Sequence, residues 1–354
     1  MPMPTGSKDP DVLLDWILNS MGLVRRKKDV DGEQFRSSAI HRILREVLLT
    51  DPLRGWDSKE IGDFTGISNT GIHHQIVKLR SCGLVTKQVE GKWHRLILRG
   101  GSMSAAVQLA KSQAVAVLEM RLKELSEVVQ NSESRMSTES EDTELPFQIR
   151  ISECGPMKEG FDKTSSMVTD FGLAGENLLS GRDLATSIMR ELCSSHYPMT
   201  AMALSESLSA SRGRVVTIVD KMRAGGFVER VPMVSRLSQD IFSGIVRQRD
   251  ARGEEWLMTR GGLGRLEETV SASLVGALRK DLTIEKVSEI LSPVSIKDQR
   301  ILLNTLGGRM PYGIRIAGSD GAAVSQRVSR RADRVLRRIS TVAERLDAAL
   351  STQS

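Results

Sequence analysis

Aromatic side chains are scarce in this chain of 354 residues, where Phe, Trp and Tyr together make up 4%. That scarcity excludes a large ring-lined pocket and argues against recognition of single-stranded nucleic acid, which stacks bases on ring faces. Cysteine is scarcer still: Cys82, Cys154 and Cys193 lie far apart with no CxxC pairing, so they read as structural thiols and no zinc site or disulfide framework is predicted. No run of about 18 apolar residues occurs. The start, "MPMPTGSKDPDVLLDW", lacks a basic segment followed by an apolar core, so a cytoplasmic protein without a membrane partner is expected. Enzyme signatures are missing too. "GGLGRLEE" lacks the Gly-Lys-Ser/Thr ending of a phosphate-binding loop, and no Ser/His/Asp or paired-carboxylate constellation stands out, so neither catalysis nor a cofactor is expected. His73 and His74 are neighbours that point about 100° apart on a helix, and nothing completes a metal site around them.

What the sequence does hold is length for two domains, 40% hydrophobic residues, and a formal charge of +6 that is unevenly spread. Residues 131–145 carry five acids against Arg135, whereas residues 327–350 carry seven arginines against three acids.

One segment occurs twice. "SNTGIHHQIVKLRSCGLVTK" (68–87) returns as "SRGRVVTIVDKMRAGGFVER" (211–230). Ile72, Ile76 and Leu79 align with Val215, Val219 and Met222, an i, i+4, i+7 stripe that predicts a helix with one buried face. Lys78 and Arg80 align with Lys221 and Arg223, and Gly83 with Gly226, after which an apolar pair starts a strand. Around the first copy the order is a helix over 35–49, a short helix with Ser58 as N-cap, the stripe helix, and a hairpin turning at Glu90-Gly91. Three helices closed by a hairpin make a winged helix-turn-helix. Around the second copy the same order is expected, with a longer hairpin ending in "EEWLMTRGG", so that Arg260-Gly261-Gly262 repeats Arg99-Gly100-Gly101. A third echo, "PFQIRISECG" from Pro146 and "PYGIRIAGSDG" from Pro311, predicts a short strand in each unit.

The predicted fold class is therefore mainly α with small β-hairpin wings: two tandem winged helix-turn-helix domains plus long amphipathic helices. The divisions are an N-terminal segment (1–33), the first winged domain (34–101), an amphipathic association helix (102–130), an acidic linker with a short strand (131–175), the second winged domain with its long wing (176–266), a helical extension with a short strand (267–320) and a basic C-terminal helix (321–354). In such a domain the N-terminal part of the stripe helix enters the major groove of duplex DNA. The candidate contacts are Asn69, Thr70, His73, His74 and Lys78 in the first copy and Arg212, Arg214, Thr217 and Lys221 in the second.

Residues 200–266 resemble the MarR family of winged-helix regulators, through "TIVDKMRAGGFVERVP" and the wing-like "RDARGEEWLMTRGGLGRLEE", in which Asp250 and Arg252 occupy a D-x-R pattern beside Arg249. The resemblance implies minor-groove insertion of Arg252 oriented by Asp250, a dimeric arrangement, and a small aromatic effector whose pocket no residue here identifies. The first copy is closer to ArsR-like winged helices, with Lys92 and Arg95 as the cations of a short wing. A DNA-binding transcriptional regulator associated with the nucleoid is the expectation, acting as a homodimer or as an intramolecular pseudo-dimer. The alternative is an architectural or protein-scaffolding tandem winged-helix protein that does not read sequence.

Overall fold

The computed structural model describes residues 3–24, 38–91, 93–143, 145–147, 154, 159–174 and 183–352. It is mainly helical, with two small two-stranded antiparallel sheets. No helix among the described residues is long and apolar enough to cross a membrane.

The first series of elements begins earlier than the sequence suggested. Helix α1 (Pro10–Ser20) opens with Asp9 accepting from the Asp11 N–H and with Pro10 at its first position, where the missing N–H costs nothing. Helix α2 starts at Ala39–Arg42 and continues as a π-helix over Ile43–Leu48. In α3 (Ser58–Thr65) the N-cap is Asp57, not Ser58: Asp57 accepts from the N–H groups of Lys59 and Glu60, and Glu60 reaches back to the Asp57 N–H, a reciprocal capping box. Helix α4 (Asn69–Ser81) follows, then strands β1 (Val85–Glu90) and β2 (Trp93–Leu98), paired from Val85↔Leu98 to Glu90↔Trp93. Helix α5 (Met103–Val128) ends the series.

The second series repeats it: α6 (Lys163–Asp170), α7 (Leu184–Ser194), α8 (Ala201–Ser207), α9 (Arg212–Gly225) and β3 (Val228–Pro232). The predicted long hairpin is absent. The segment 237–259 is a helix, α10 (Leu237–Thr259), broken at Gly253, because its buried Leu237, Ile241, Gly244 and Ile245 recur at i, i+4, i+7 and i+8, a spacing that a strand would divide between both faces. Helices α11 (Glu268–Lys280), α12 (Ile284–Leu291) and α13 (Ile296–Thr305) complete a separate apolar cluster with it. The partner of β3 is β4 (Tyr312–Ile316), antiparallel from Val228↔Ile316 to Pro232↔Tyr312, and the long α14 (Gly321–Ser351) follows as α5 follows β2. Arg260-Gly261-Gly262 therefore lies inside the inserted bundle. The segment corresponding to Gly101-Ser102 with Ala105-Ala106-Val107 is Gly318-Ser319 with Ala322-Ala323-Val324. Short bridges confirm the correspondence: Trp56 pairs with Leu96 in one unit and Met199 with Ile314 in the other. The strand expected from Pro146 falls at 148–153, outside the described residues.

The units exchange their long helices. Ile339, Val342, Ala343 and Leu346 of α14 sit in the first unit's core beside Leu13 and Ile17 of α1, while Val117, Leu118, Leu122 and Leu125 of α5 sit in the second unit's core beside Met167 and Val168 of α6. The two helices run antiparallel against each other. At one end the Asp347 carboxylate accepts from the N–H groups of Met103 and Ser104, capping α5; at the other, Ser325 Oγ donates to the Leu122 carbonyl at 2.8 Å. The backbones are so close that a Cβ on Gly321 would lie 2.4 Å from Ser126 Cα. The packing is reciprocal, each unit's long helix contributing to the other unit's core.

The segment joining the units is pinned by Arg135, which is 1% exposed. Its guanidinium donates to the carbonyls of Gln130, Ser195, Gly318 and Ser319. The first two lie at the carboxyl ends of α5 and α7, where unsatisfied carbonyls favour a cation, and the last two just before α14.

Candidate nucleic-acid interface

Helices α4 and α9 rest on their apolar stripes. Ile72, Ile76 and Leu79 are buried under the first, and Val215, Val219 and Met222 under the second. Each stripe turns the opposite face outward. On α4 that face holds Asn69, Thr70, His73 and His74, all exposed, with Val77 46% exposed and Lys78 half-buried. On α9 it holds Arg212, Arg214, Thr217 and Lys221, all exposed. Among the described residues no carboxylate forms an ion pair with Arg212, Arg214 or Lys221. Thr217 donates its hydroxyl to the Gly213 carbonyl at 2.9 Å, which fixes its rotamer and leaves its oxygen outward as an acceptor.

The helix starts differ in how they are held. Ser68 Oγ accepts from the Gly71 N–H, whereas Ser211 makes no side-chain cap, so the first-turn N–H groups of α9 keep their capacity for an external acceptor. At its far end α9 stops on Gly226, whose φ of 83° suits glycine, and the Arg331 guanidinium donates to the Arg223 carbonyl there.

The wing residues are placed otherwise than expected. Lys92 lies outside the described residues. Arg95 does not reach outward: its guanidinium donates to Glu60 at 3.2 Å and to the Gly55 carbonyl, and lies within 3.7 Å of the Asp57 and Glu90 carboxylates. It braces the hairpin against α3, and the capping box that supplies those carboxylates explains why. Arg249 and Arg252 are exposed but stand on α10, not on a wing strand: Arg249 donates to the Leu278 carbonyl and Arg252 covers the Trp256 ring at 4.7 Å. Asp250 is in the same helix, so the D-x-R geometry is not formed.

Of the basic residues aligned between the two copies, Arg223 is buried and paired with Asp142 and Asp220. Burial opposes its charge, but the hydrogen bonds it donates to these two carboxylates outweigh burial and raise the guanidinium above its ordinary range. Burial would likewise raise the Asp142 carboxyl, yet Arg223 and the Arg230 N–H hold it below the usual carboxylate range. The linker thus lies along β3, with Ser140 Oγ donating to the Arg230 carbonyl and Glu141 paired with Arg300 of α13. The signal for this strap was present as an acidic run facing an arginine excess elsewhere, but sequence alone names no pairs.

Among the described residues no group of three His, Cys, Asp or Glu is placed to hold a metal ion. Comparison with protein-family models, with curated proteins and with solved structures finds no match for this chain.

Proposed function

We propose that the chain binds duplex DNA through two unequal winged helix-turn-helix heads held as an intramolecular pseudo-dimer, and that it regulates transcription by occupancy of its site. The observation that carries this reading is the outer face of α9, where Arg212 and Arg214 stand exposed at the start of a helix whose opposite stripe is buried, with Lys221 exposed further along it. Arginine there matches the paired acceptors of guanine in the major groove, which is wide enough to admit a helix. The reciprocal exchange of α5 and α14 supports joint action, because it fixes the spacing of the two helices as a dimer interface would.

Under this reading the first head contributes hydrogen bonds from Asn69 and Thr70 and the second supplies most of the discrimination. The test is selection of bound duplexes from a random pool by the intact chain, followed by affinity measurements across a salt series. An enriched sequence whose preference weakens on Arg212→Ala or Arg214→Ala supports sequence reading. Equal affinity for all duplexes leaves an architectural coat, and no duplex binding near physiological salt leaves a scaffold. The scaffold reading has one observation in its favour: Phe64, Val77 and Val89 of the first unit are exposed by 60%, 46% and 69%.

A further inference from the structure

The inserted bundle carries a cleft of about 360 Å³ between the turn that precedes α11 and helix α13, within the usual range of small-molecule sites. Gly262, with φ of 89°, brings that turn so close to α13 that a Cβ there would lie 3.3 Å from Thr305 Cγ2. Asp298, Ile301, Leu302 and Thr305 line the cleft from one side of α13. Arg300, which pairs with Glu141 of the linker, stands on the opposite side of that helix, so the cleft does not face the linker.

Its floor is aliphatic and its charges are of both signs. Val270 and Leu302 are buried in it, with Leu266, Val294 and the 44%-exposed Ile301 around them. Arg265, Glu267 and Asp298 also line it, and all three are exposed. Among the described residues neither carboxylate comes within ion-pair distance of Arg265, and none of the three forms an ion pair elsewhere. Hydroxyls hold the carboxylates instead: Ser295 Oγ donates to Asp298 at 2.7 Å and Thr269 Oγ1 to Glu267 at 3.2 Å, which orients them without neutralising them. The start of α11 has no side-chain cap, so its first N–H groups keep their capacity for an anionic acceptor beside Arg265.

A ligand that answers all of these features has a carboxylate, an ammonium and an apolar tail. An apolar carboxylate alone meets Arg265 but brings its charge against Glu267 and Asp298; an apolar amine alone leaves Arg265 without an anion. We propose that this cleft binds a free α-amino acid with an apolar side chain. The carboxylate lies towards Arg265 and the start of α11, where a guanidinium fork takes both oxygens. The ammonium lies towards Glu267 and Asp298, and the side chain covers Val270, Ile301 and Leu302. The cleft is separate from the outer faces of α4 and α9, so occupancy requires no DNA, and the test is run without it.

The probes are L-isoleucine, L-methionine and L-phenylalanine, titrated calorimetrically into the full chain at constant ionic strength. Saturable binding of at least one of them at one site is expected, at least tenfold tighter than that of L-serine, which lacks the apolar tail. Analogues of the best probe that lack only the ammonium or only the carboxylate, for L-isoleucine 3-methylpentanoate and 2-methylbutylamine, should bind at least tenfold more weakly than the probe. Arg265→Ala and Asp298→Asn should each weaken binding at least tenfold. Both positions are exposed and Asn keeps an acceptor for Ser295, so the fold should survive, and an unchanged melting temperature checks that. Lys297→Ala, exposed on the same helix but outside the cleft lining, should leave binding unchanged. Absence of saturable binding by all three amino acids overturns the site, as does an analogue that binds as tightly as the amino acid it derives from. Equal loss in Arg265→Ala and Lys297→Ala overturns it too, because it would mean diffuse attraction to surface cations.

Discussion

The two units use the same order of elements to present different surfaces. Both bury an i, i+4, i+7 stripe under the helix before the first strand, and both pair a residue ahead of the third helix with the second strand. Outward, the first shows two histidines and a hairpin arginine tied to α3, while the second shows two arginines, a lysine and a helix start without a side-chain cap; each also exposes one valine, Val77 or Val216. Burial holds the shared scaffold in place. The outer positions, free of packing, have diverged. The repeated order of elements therefore keeps one scaffold while the outer faces of its two copies differ in chemistry.

The strongest way to break this comparison is through the exchanged helices. Leu346→Ala, at a position fully buried in the first unit's core, should cost about 2–5 kcal/mol and raise amide exchange in α1 and α2, although Leu346 belongs to the second unit's helix. Leu125→Ala should do the reverse, loosening α6 and α7. Exchange confined to the unit that owns each helix would refute the reciprocal arrangement. Next come the outer faces: Arg212→Ala and Arg214→Ala should each weaken binding to a selected duplex by roughly 1–3 kcal/mol, whereas His73→Ala with His74→Ala should cost less than either; titration by anisotropy ranks them.

A smaller effect separates the units by acidity. His41, 3% exposed, lies between the Asp11 and Asp15 carboxylates of α1 at 3.6 and 3.7 Å, and burial holds its imidazole below its ordinary value of 6.5 despite the charge of Asp11. The unfolded chain therefore takes up this proton more readily than the native one. Its contribution to stability is present above pH 6.5 and declines as the pH falls below that value. Urea midpoints at about pH 7.5 and 5.5 should show that decline in the parent, and His41→Gln should reduce it. Smallest of all is Arg252→Ala, expected to change duplex affinity by less than about 0.5 kcal/mol, as a surface substitution away from the reading helices does; a loss above about 1 kcal/mol would restore a DNA contact to the inserted bundle.

The stripe helices, the first hairpin and both long helices were legible because their signals are local: periodic apolar residues, a glycine at the end, an alternating strand. The strand Tyr312–Ile316 was legible as well, but its partner was not, since Val228↔Ile316 joins positions far apart in the chain. The misreading of α10 has a definite cause. Asp250, Arg252 and the Leu257 region imitate a wing over a few residues, and only the i, i+4, i+7, i+8 recurrence of Leu237, Ile241, Gly244 and Ile245 reveals a helix. Helices α1 and α6 hid in segments read as an N-terminal segment and a linker, although Gly22-Leu23 and Gly172-Leu173 close them in the same way, with φ of 67° and 64° at the glycines. As for the candidate site, the outer residues of α4 and α9 followed from the stripe, while Arg95 and Arg223 turned inward because carboxylates distant in sequence meet them.

Pro232 and Tyr312 face each other across the sheet, at the very place where the first unit makes a tight reversal through Gly91. The bundle between them consequently enters and leaves by one doorway, and among the described residues its apolar centre draws only on positions 234–310. Such an appendage can be cut out and the gap bridged by a few residues without unzipping the strands, so a shortened protein keeping both halves is a reachable object for asking what the extra helices add.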